Sequence, residues 1–409
     1  MSQITKCRIC ESPHIQKFLS LGATPPANSF PEPGHDAECE VSFPLELFLC
    51  EKCGLVQLGY TVPPEILFKN YLYFSSTVET LKRHFADFAA EIAEKYAGDN
   101  GLVVEIGSND GVLLKNFQGK QVRALGFEPA ANVAKAAREA GVDTINDFFN
   151  SSTAAKLKEE RGTANVIIAN NVFAHVAGLH DLVRGMEILL AQQGVMIIEF
   201  HHLASLYSHM EFDSIYHEHL CYYSLKPVMH LFGMFGMEVF DVKKIPIHGG
   251  SLRIYVQKKG GGHAISQNVQ AILNEEETLG LYKLETYRDF AGKIASIRDE
   301  LLAMLKKLKS EGKRVAGYGA PAKCTTLLNY FGIGPGLVEY IVDRSPSKQN
   351  RLVPGVHVPI CGPERLKSDR PDYLLILAWN ISEEIMKQQS EFRASGGKFI
   401  VPIPRPEIL

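Results

Sequence analysis

Short apolar runs recur along the chain, and stretches with helical spacing separate them. The run LVVEI at 102–106 leads into a glycine turn and then VLLKNF, which predicts a buried strand, a tight turn and a helix. VRALGFEPA at 122–130, ANVIIANNVFAHV at 164–176 and GVMIIEFHH at 194–202 read as further strands running into loops, and AANVAKAAREAG carries helical spacing between two of them. Strands alternating with helices predict a doubly wound α/β sheet, with ligands at the carboxyl ends of its strands. A second unit follows: KRVAGYGAPAKCTTLLNYFG is again strand, glycine turn and helix, LVEYIVDRSPSKQN gives a strand ending at Asp343, and DYLLILAWN at 372–380 gives one ending at Asn380. Between the units, LYKLETYRDFAGKIASIRDELLAMLKKLKSEG has apolar residues three and four apart and predicts a long amphipathic helix ending at Gly312.

Composition narrows the class. A chain of 409 residues is long for one core and predicts two or three domains. With 45% apolar and 22% charged residues it reads as an ordinary globular protein. The net charge of -3, without a basic block, argues against nucleic acid as a ligand. No apolar run approaches the roughly 20 residues that span a bilayer, and the N-terminus lacks a signal-peptide core, so the expected location is the cytoplasm, away from membranes. Eight cysteines there suit metal ligation or burial better than disulfides. CRIC (Cys7, Cys10) and CEKCG (Cys50, Cys53) have the spacing of two zinc knuckles, and four thiolates complete a closed, structural Zn²⁺ site. The insert SLGATPPANSFPEPG between them is predicted to be loop.

The first glycine turn, E-x-G-x-x-x-G, differs from the G-x-G-x-x-G of dinucleotide sites. Gly107 and Gly111 allow a sharp turn and close approach of a ligand. Asp110 is placed to cap the following helix. Glu105 and Asp110 would repel a pyrophosphate; they suit a ligand with cationic groups, such as the amine and sulfonium of S-adenosylmethionine. Glu128, about twenty residues on, is placed to accept both hydroxyls of a ribose. Ser108 and Pro129 flank these positions. Asp147, Phe148 and Phe149 of INDFFN offer an acidic-aromatic edge for adenine, and Asn170, Asn171 and Phe173 stand at the next strand end. The set resembles the class I S-adenosylmethionine-dependent methyltransferases.

YHEHLCYYS, 216–224, follows the fifth strand. His217 and His219 would share a face on a strand, but a metal site needs a third ligand and H-E-x-x-H is absent. A polar loop without chemistry is a second reading. In the third, a histidine takes a proton near neutral pH, a carboxylate orients it, and a tyrosine donates to an oxyanion, which together suit proton abstraction beside a ketone.

The ordered set of CxxC pairs, EIGSNDG, NNVFAHV, YHEHLCYYS, HGGSLR (248–253) and GYGAPAK (317–323) resembles the sugar C-methyltransferases that act on nucleotide-linked 4-ketohexoses, over nearly the whole chain. The resemblance implies His219 as general base, Tyr216 and Glu218 beside it, and His175 in the same pocket. It also implies a tyrosine lid over the cofactor from YLYFSS, either Tyr71 or Tyr73. The expected substrate is a nucleotide-linked 4-keto-deoxysugar, methylated at C-3, with C-5 methylation or a pyridine-nucleotide oxidoreductase as alternatives. Tyr222, His248, Arg253, Gly319, Lys323, Asp343 and Asn380 are candidate substrate residues, and Lys323 with the amides of the second glycine turn could cradle the diphosphate. The expected organisation is a zinc-binding domain over 1–75, a methyltransferase domain over 76–260, a helical connector over 261–312 and a nucleotide-sugar-binding α/β domain over 313–409. The oligomeric state is open between monomer and dimer.

Overall fold

The computed structural model describes residues 2–34, 40–63, 66–67, 75–77, 79–247 and 249–409. Tyr71, Tyr73 and His248 lie outside these described residues.

The central sheet has seven strands: β1 (Gly101–Ile106), β2 (Val122–Phe127), β3 (Thr144–Ile145), β4 (Ala164–Asn170), β5 (Leu190–His201), β6 (Met237–Ile245) and β7 (Ser251–Lys258). Their spatial order is β3-β2-β1-β4-β5-β7-β6. β7 runs antiparallel to both of its neighbours and the other pairings are parallel. This is the class I methyltransferase arrangement. All six residues of β1 are buried, as expected for a strand covered on both faces. One expectation fails here. The segment after Gly111 forms only a short 3₁₀ turn, Leu114–Phe117, whose N-cap is Leu113. Asp110 therefore caps no helix; its Oδ2 accepts from the Ser76 amide at 3.2 Å.

The N-terminal sheet pairs Ile15–Thr24, Phe43–Cys50 and Val56–Leu58 in antiparallel order. Its fourth strand, Cys221–Tyr222, comes from the middle of the chain and pairs with Val56 and Gln57. The C-terminal sheet is ordered Ile360–Cys361, Ile341–Val342, Val315–Tyr318, Tyr373–Ile376, Lys398–Val401 and Glu407–Ile408, and only the last strand is antiparallel.

The connector is two helices, Gln267–Thr278 and Leu284–Ser310, separated where Gly280 adopts φ +71°. The second helix buries Tyr287, Phe290, Ile294, Ile297, Leu301, Leu305 and Leu308, the stripe its sequence spacing predicts. Tyr287 stacks on Phe18 of the N-terminal sheet at 4.7 Å between ring centroids. Each such side chain contributes roughly 1.5–3 kcal/mol by leaving water, so the helix holds the domains together along its length.

Several hydrogen bonds lock the C-terminal unit to the rest, among them those of Thr325, Thr326 and Trp379. Thr325 Oγ1 donates to the Ala27 carbonyl at 2.9 Å, Thr326 Oγ1 to the Ile215 carbonyl at 2.8 Å, and Trp379 Nε1 to Asp213 Oδ2 at 2.6 Å. Asp213 is fully buried, and desolvation pushes its carboxyl up to about 6. Replacing Trp379 with Phe keeps the apolar ring and leaves that carboxyl without its donor. The expected cost is about 1–3 kcal/mol, seen as a lower midpoint in circular-dichroism melts; Trp379 is the only tryptophan, so fluorescence cannot follow the variant.

Candidate functional site

The four knuckle cysteines converge. Cys7 Sγ lies 3.5 Å from Cys53 Sγ, Cys10 Sγ lies 3.5 Å from Cys50 Sγ, and all four sulfurs fall within 4.8 Å of one another. A tetrahedron with Zn–S bonds of about 2.3 Å has edges of about 3.8 Å, so the set fits Zn²⁺. The Ile9 amide points at Cys7 Sγ at 3.4 Å, and the Gly54 amide closes the second knuckle on the Cys50 carbonyl at 2.9 Å. Zinc here is structural, because four protein ligands leave no open position.

The acids of the first glycine turn gather at the carboxyl ends of β1, β2 and β4. Gly107 (φ +65°) and Gly111 (φ +75°) are required: a Cβ would stand 2.7 Å from Val172 Cγ2 at the first and 2.7 Å from Val142 Cγ2 at the second. Glu105 is buried, and desolvation holds its carboxyl well above the usual carboxylate range. Glu128 Oε2 accepts from the Asn109 amide at 3.0 Å and Oε1 from the Ala130 amide at 2.8 Å, which leaves lone pairs on both oxygens for ribose hydroxyls. Glu105 Oε2, Ser108 Oγ, Asp110 Oδ1 and Asn170 Oδ1 are buried without a protein hydrogen-bond partner. A cluster of unsatisfied, mostly acceptor atoms is costly on its own and fits a ligand bearing N–H, O–H and cationic groups. S-adenosylmethionine has all three.

Other predicted cofactor residues divide. Phe148 is 60% exposed beside Asp147, and both can meet a ligand edge. Pro129 is exposed next to Glu128. Asn171 takes φ +55° and donates its amide to the Glu199 carbonyl at 2.7 Å, shaping the bend after β4. Phe149 and Phe173 are buried instead, packed edge-on against Phe127 and Tyr223, so they support the site from behind. Ser75 and Ser76, just past the predicted tyrosine lid, dock on the turn through Asn109 Oδ1 (2.9 Å) and Asp110 Oδ2.

The histidine segment forms a tight turn, with the His219 amide on the Tyr216 carbonyl at 2.9 Å. The turn sends the two histidines apart, so they share no strand face. His217 is buried and bonds the Phe43 carbonyl through Nε2 at 3.1 Å. His219 Nδ1 lies 2.9 Å from the Ser214 carbonyl. A carbonyl only accepts, so Nδ1 carries hydrogen and the neutral ring has its lone pair on Nε2. Tyr216 lies over His219 at 4.1 Å and His175 meets it edge-on at 5.0 Å. Burial lowers His175 to about 4, so it stays neutral, and it bonds the Glu218 backbone in the sense that favours its protonated form, as donation to a carbonyl does. Its other nitrogen is then an acceptor. Burial pushes Glu218 up to about 7, against the opposing pull of the Asn28 amide, whose Nδ2 donates to Oε1 at 2.6 Å. Among the described residues only the cysteines form a group able to hold a metal.

The predicted substrate residues are scattered more widely. Tyr222 is 5% exposed and lines an interior cavity with Phe18, Leu47 and Phe290, so it backs His219 and does not face a cleft. Arg253 is committed to Glu199 Oε2 at 2.9 Å and lies 3.5 Å over the Phe88 ring, which leaves it no reach for a phosphate. The second glycine turn closes on itself: the Ala320 amide donates to Asp343 Oδ2 at 2.6 Å, so Asp343 occupies the place an anion would take beside Gly319. Lys323 and Asn380 do meet, Nζ to Oδ1 at 2.5 Å, with the lysine 4.2 Å over the Trp379 ring.

Several residues at this cleft carried no separate signal in the sequence. His201, at the end of β5, pairs with Glu211 at 2.8 Å, and His209 stands 3.4 Å from the same carboxylate. His201, then Lys323 and His209, hold Glu211 below its usual range against the effect of burial. Gly249 explains part of the HGGS motif: its φ is +85°, and a Cβ would lie 2.4 Å from Glu211 Oε1.

Two outcomes follow. Cys50→Ser is expected to drop bound zinc from one ion per chain toward zero by elemental analysis and to lower the melting midpoint, since binding energy at such a site is folding energy. Gly249→Ala is expected to displace Glu211 from His201 and destabilise the chain by more than about 1 kcal/mol, read by thermal unfolding.

Three domain families match in order: "Putative zinc binding domain" over residues 7–68, "Methyltransferase domain" over 78–242 and "C-methyltransferase C-terminal domain" over 246–404. The chain is 34% identical to C-methyltransferase NovU of Streptomyces niveus over 407 residues, 99% of this chain and 97% of that protein. Among solved structures, the PH0226 protein of Pyrococcus horikoshii is 14% identical and covers 47% of this chain and 98% of its own, with a TM-score of 0.37. The magnesium protoporphyrin IX methyltransferase of Synechocystis, solved with bound S-adenosylmethionine, is 12% identical and covers 44% of this chain and 79% of its own, with a TM-score of 0.33. The near end-to-end match to NovU, laid over a zinc-ligating cysteine set and a class I core, makes this chain a member of the C-methyltransferase family.

Proposed function

We propose that the protein methylates C-3 of a nucleotide-linked 4-keto-deoxyhexose, with S-adenosylmethionine as donor. The observation that carries this reading is the Nδ1 contact of His219 with the Ser214 carbonyl, which places a basic lone pair on Nε2. Carbon is a poor nucleophile until a neighbouring C–H proton is removed, and a C-4 ketone makes that proton acidic. His219 Nε2 takes the C-3 proton, and the electron pair of the C–H bond moves into an enolate with its charge on the C-4 oxygen. Tyr216, over the His219 ring, supplies a hydroxyl donor for that oxygen. His175, neutral and with an acceptor nitrogen, suits a sugar hydroxyl better than the enolate. Glu218, near half-protonation at neutral pH, orients the sugar. Bound S-adenosylmethionine would supply an electrophilic sulfonium methyl group to C-3: the C–C bond would form as the S–CH3 bond breaks, with its electron pair staying on sulfur as the thioether of S-adenosylhomocysteine, and His219 would pass the proton to solvent. Lys323 supplies positive charge for the diphosphate from the C-terminal unit, next to Asn380. The reaction is consistent with the NovU relative being a C-methyltransferase.

The test is isotope exchange in deuterated water with a panel of nucleotide-linked 4-keto-6-deoxysugars, read by mass and NMR. Wild-type protein is expected to place deuterium at C-3 without donor and a methyl group there with it. His219→Ala should lose both by about 10²–10⁴-fold, the contribution of a positioned base, while still binding S-adenosylmethionine by calorimetry. Wild-type turnover in that variant would overturn the base assignment, and exchange at C-5 would move the reaction to the other flank of the ketone.

A further inference from the structure

The zinc-bearing domain meets the carboxyl of the histidine segment, Glu218, through the side chain of Asn28. A turn closed by the Ser29 amide on the Pro26 carbonyl, 3.1 Å, presents Asn28, and asparagine suits such a position. Asn28 is exposed while Glu218 is buried, so the amide sits at the rim of the carboxyl's pocket. It is the only hydrogen-bond partner of the Glu218 side chain among the described residues. The loop that carries it is seated on the C-terminal unit. Thr325 Oγ1 donates to the Ala27 carbonyl at 2.9 Å, Arg351 Nη1 to the Phe30 carbonyl at 2.9 Å, and the Leu352 amide to the Pro31 carbonyl at 2.9 Å. Lys348 lies 5.3 Å over the Phe30 ring and also donates to the Ala320 carbonyl, at 2.7 Å, in the second glycine turn.

We infer that Asn28 is a positioning residue of methyl transfer: its N–H fixes the carboxyl of Glu218, the residue before His219 in the turn, and ties that carboxyl to the seating of the proline-rich loop on the C-terminal unit. The inference rests on the proposed role of the His219 pocket. It gives the zinc-stapled domain a part in the reaction, because the knuckles anchor one end of the strand, Ile15–Thr24, from which the loop departs. It also gives a nucleotide held near the second glycine turn a physical route to the reacting centre, through Lys348 and Phe30 to Asn28.

Asn28→Asp tests it. The substitution is isosteric and reverses the donor, so two carboxyls meet where an amide met a carboxyl. Asn28 meets the Glu218 carboxyl from the N-terminal domain, and His175 bonds the Glu218 backbone from the core; burial and Asn28 are the influences on the carboxyl's protonation. Donation by Asn28 favours the ionised form, so its loss moves the Glu218 midpoint upward from about 7. The first measurement is a carboxyl-carbon NMR titration of Glu218, assigned by its loss in Glu218→Gln, and it needs no substrate. The second is turnover on the sugar that the exchange panel identifies, where kcat should fall about 10–100-fold, the worth of a hydrogen bond to a charged group, with KM changed less. Zinc content and melting midpoint should match wild type. An unchanged titration together with unchanged kcat would overturn the inference. A wild-type protein inactive on every sugar of the panel would sink the substrate reading alone, and the titration would still decide the Asn28–Glu218 link. Should Asn28→Asp not fold, Asn28→Ala, which removes the donor without adding charge, is expected to shift the titration in the same direction.

Discussion

The segment from Asp213 to Tyr222 has almost no regular structure, yet it is held on every side by hydrogen bonds to other parts of the chain. Asp213 accepts from Trp379 and the Ile215 carbonyl accepts from Thr326, both in the C-terminal unit. His217 bonds the Phe43 carbonyl and Glu218 accepts from Asn28, both in the N-terminal domain. The Leu220 amide donates to the Ala174 carbonyl of the core, and Cys221–Tyr222 becomes a strand of the N-terminal sheet. Buried irregular backbone is tolerated only when its polar groups find partners. Here the partners come from the N-terminal, central and C-terminal parts of the chain, so all three contribute to the shape of the His219 turn.

The two glycine turns look alike in sequence and differ in electrostatics. The first leaves buried acceptors of Glu105, Ser108, Asp110 and Asn170 without protein partners, a state that a ligand with donors and positive charge relieves. The second satisfies itself: Asp343 takes the Ala320 amide and Lys348 donates to the Ala320 carbonyl. Beside it Lys323 and Asn380 bond each other, and Lys323 feels the carboxylates of Asp213 and Glu211. A strand-turn-helix pattern is thus a scaffold, and its unsatisfied atoms decide which ligand it takes.

Much of the fold was legible. The strand runs at 102–106 and 164–170 are mainly apolar because β1 and β4 lie in the interior of a covered sheet, whereas the run at 122–127 is buried only in its second half, where the short outer strand covers β2. The long helix was readable from its stripe, and the knuckles from their spacing. Differences between the sequence expectation and the structure cluster where a residue's partner is distant. Arg253 follows a glycine pair, as a ligand-binding arginine could, but strand register sets it opposite Glu199. Phe149, Phe173 and Tyr222 adjoin candidate site residues in sequence, while their side chains are buried. Asp110 precedes what reads as a helix, and the chain makes one 3₁₀ turn there.

By itself the sequence determined the strand succession, the zinc ligands, the acidic turn at the carboxyl end of the first strand and the residue types of the His219 turn. These are local properties: periodicity, spacing and the chemistry of neighbours in the chain. Only the tertiary structure decided which backbone carbonyl each histidine of the pair bonds, which nitrogen of His219 carries the lone pair, and that Asn28 pairs with Glu218 and His201 with Glu211. Hydrogen-bond partners 190 positions apart, such as Asn28 and Glu218, leave no mark in local sequence, because the bond exists only once distant segments of the chain have packed together.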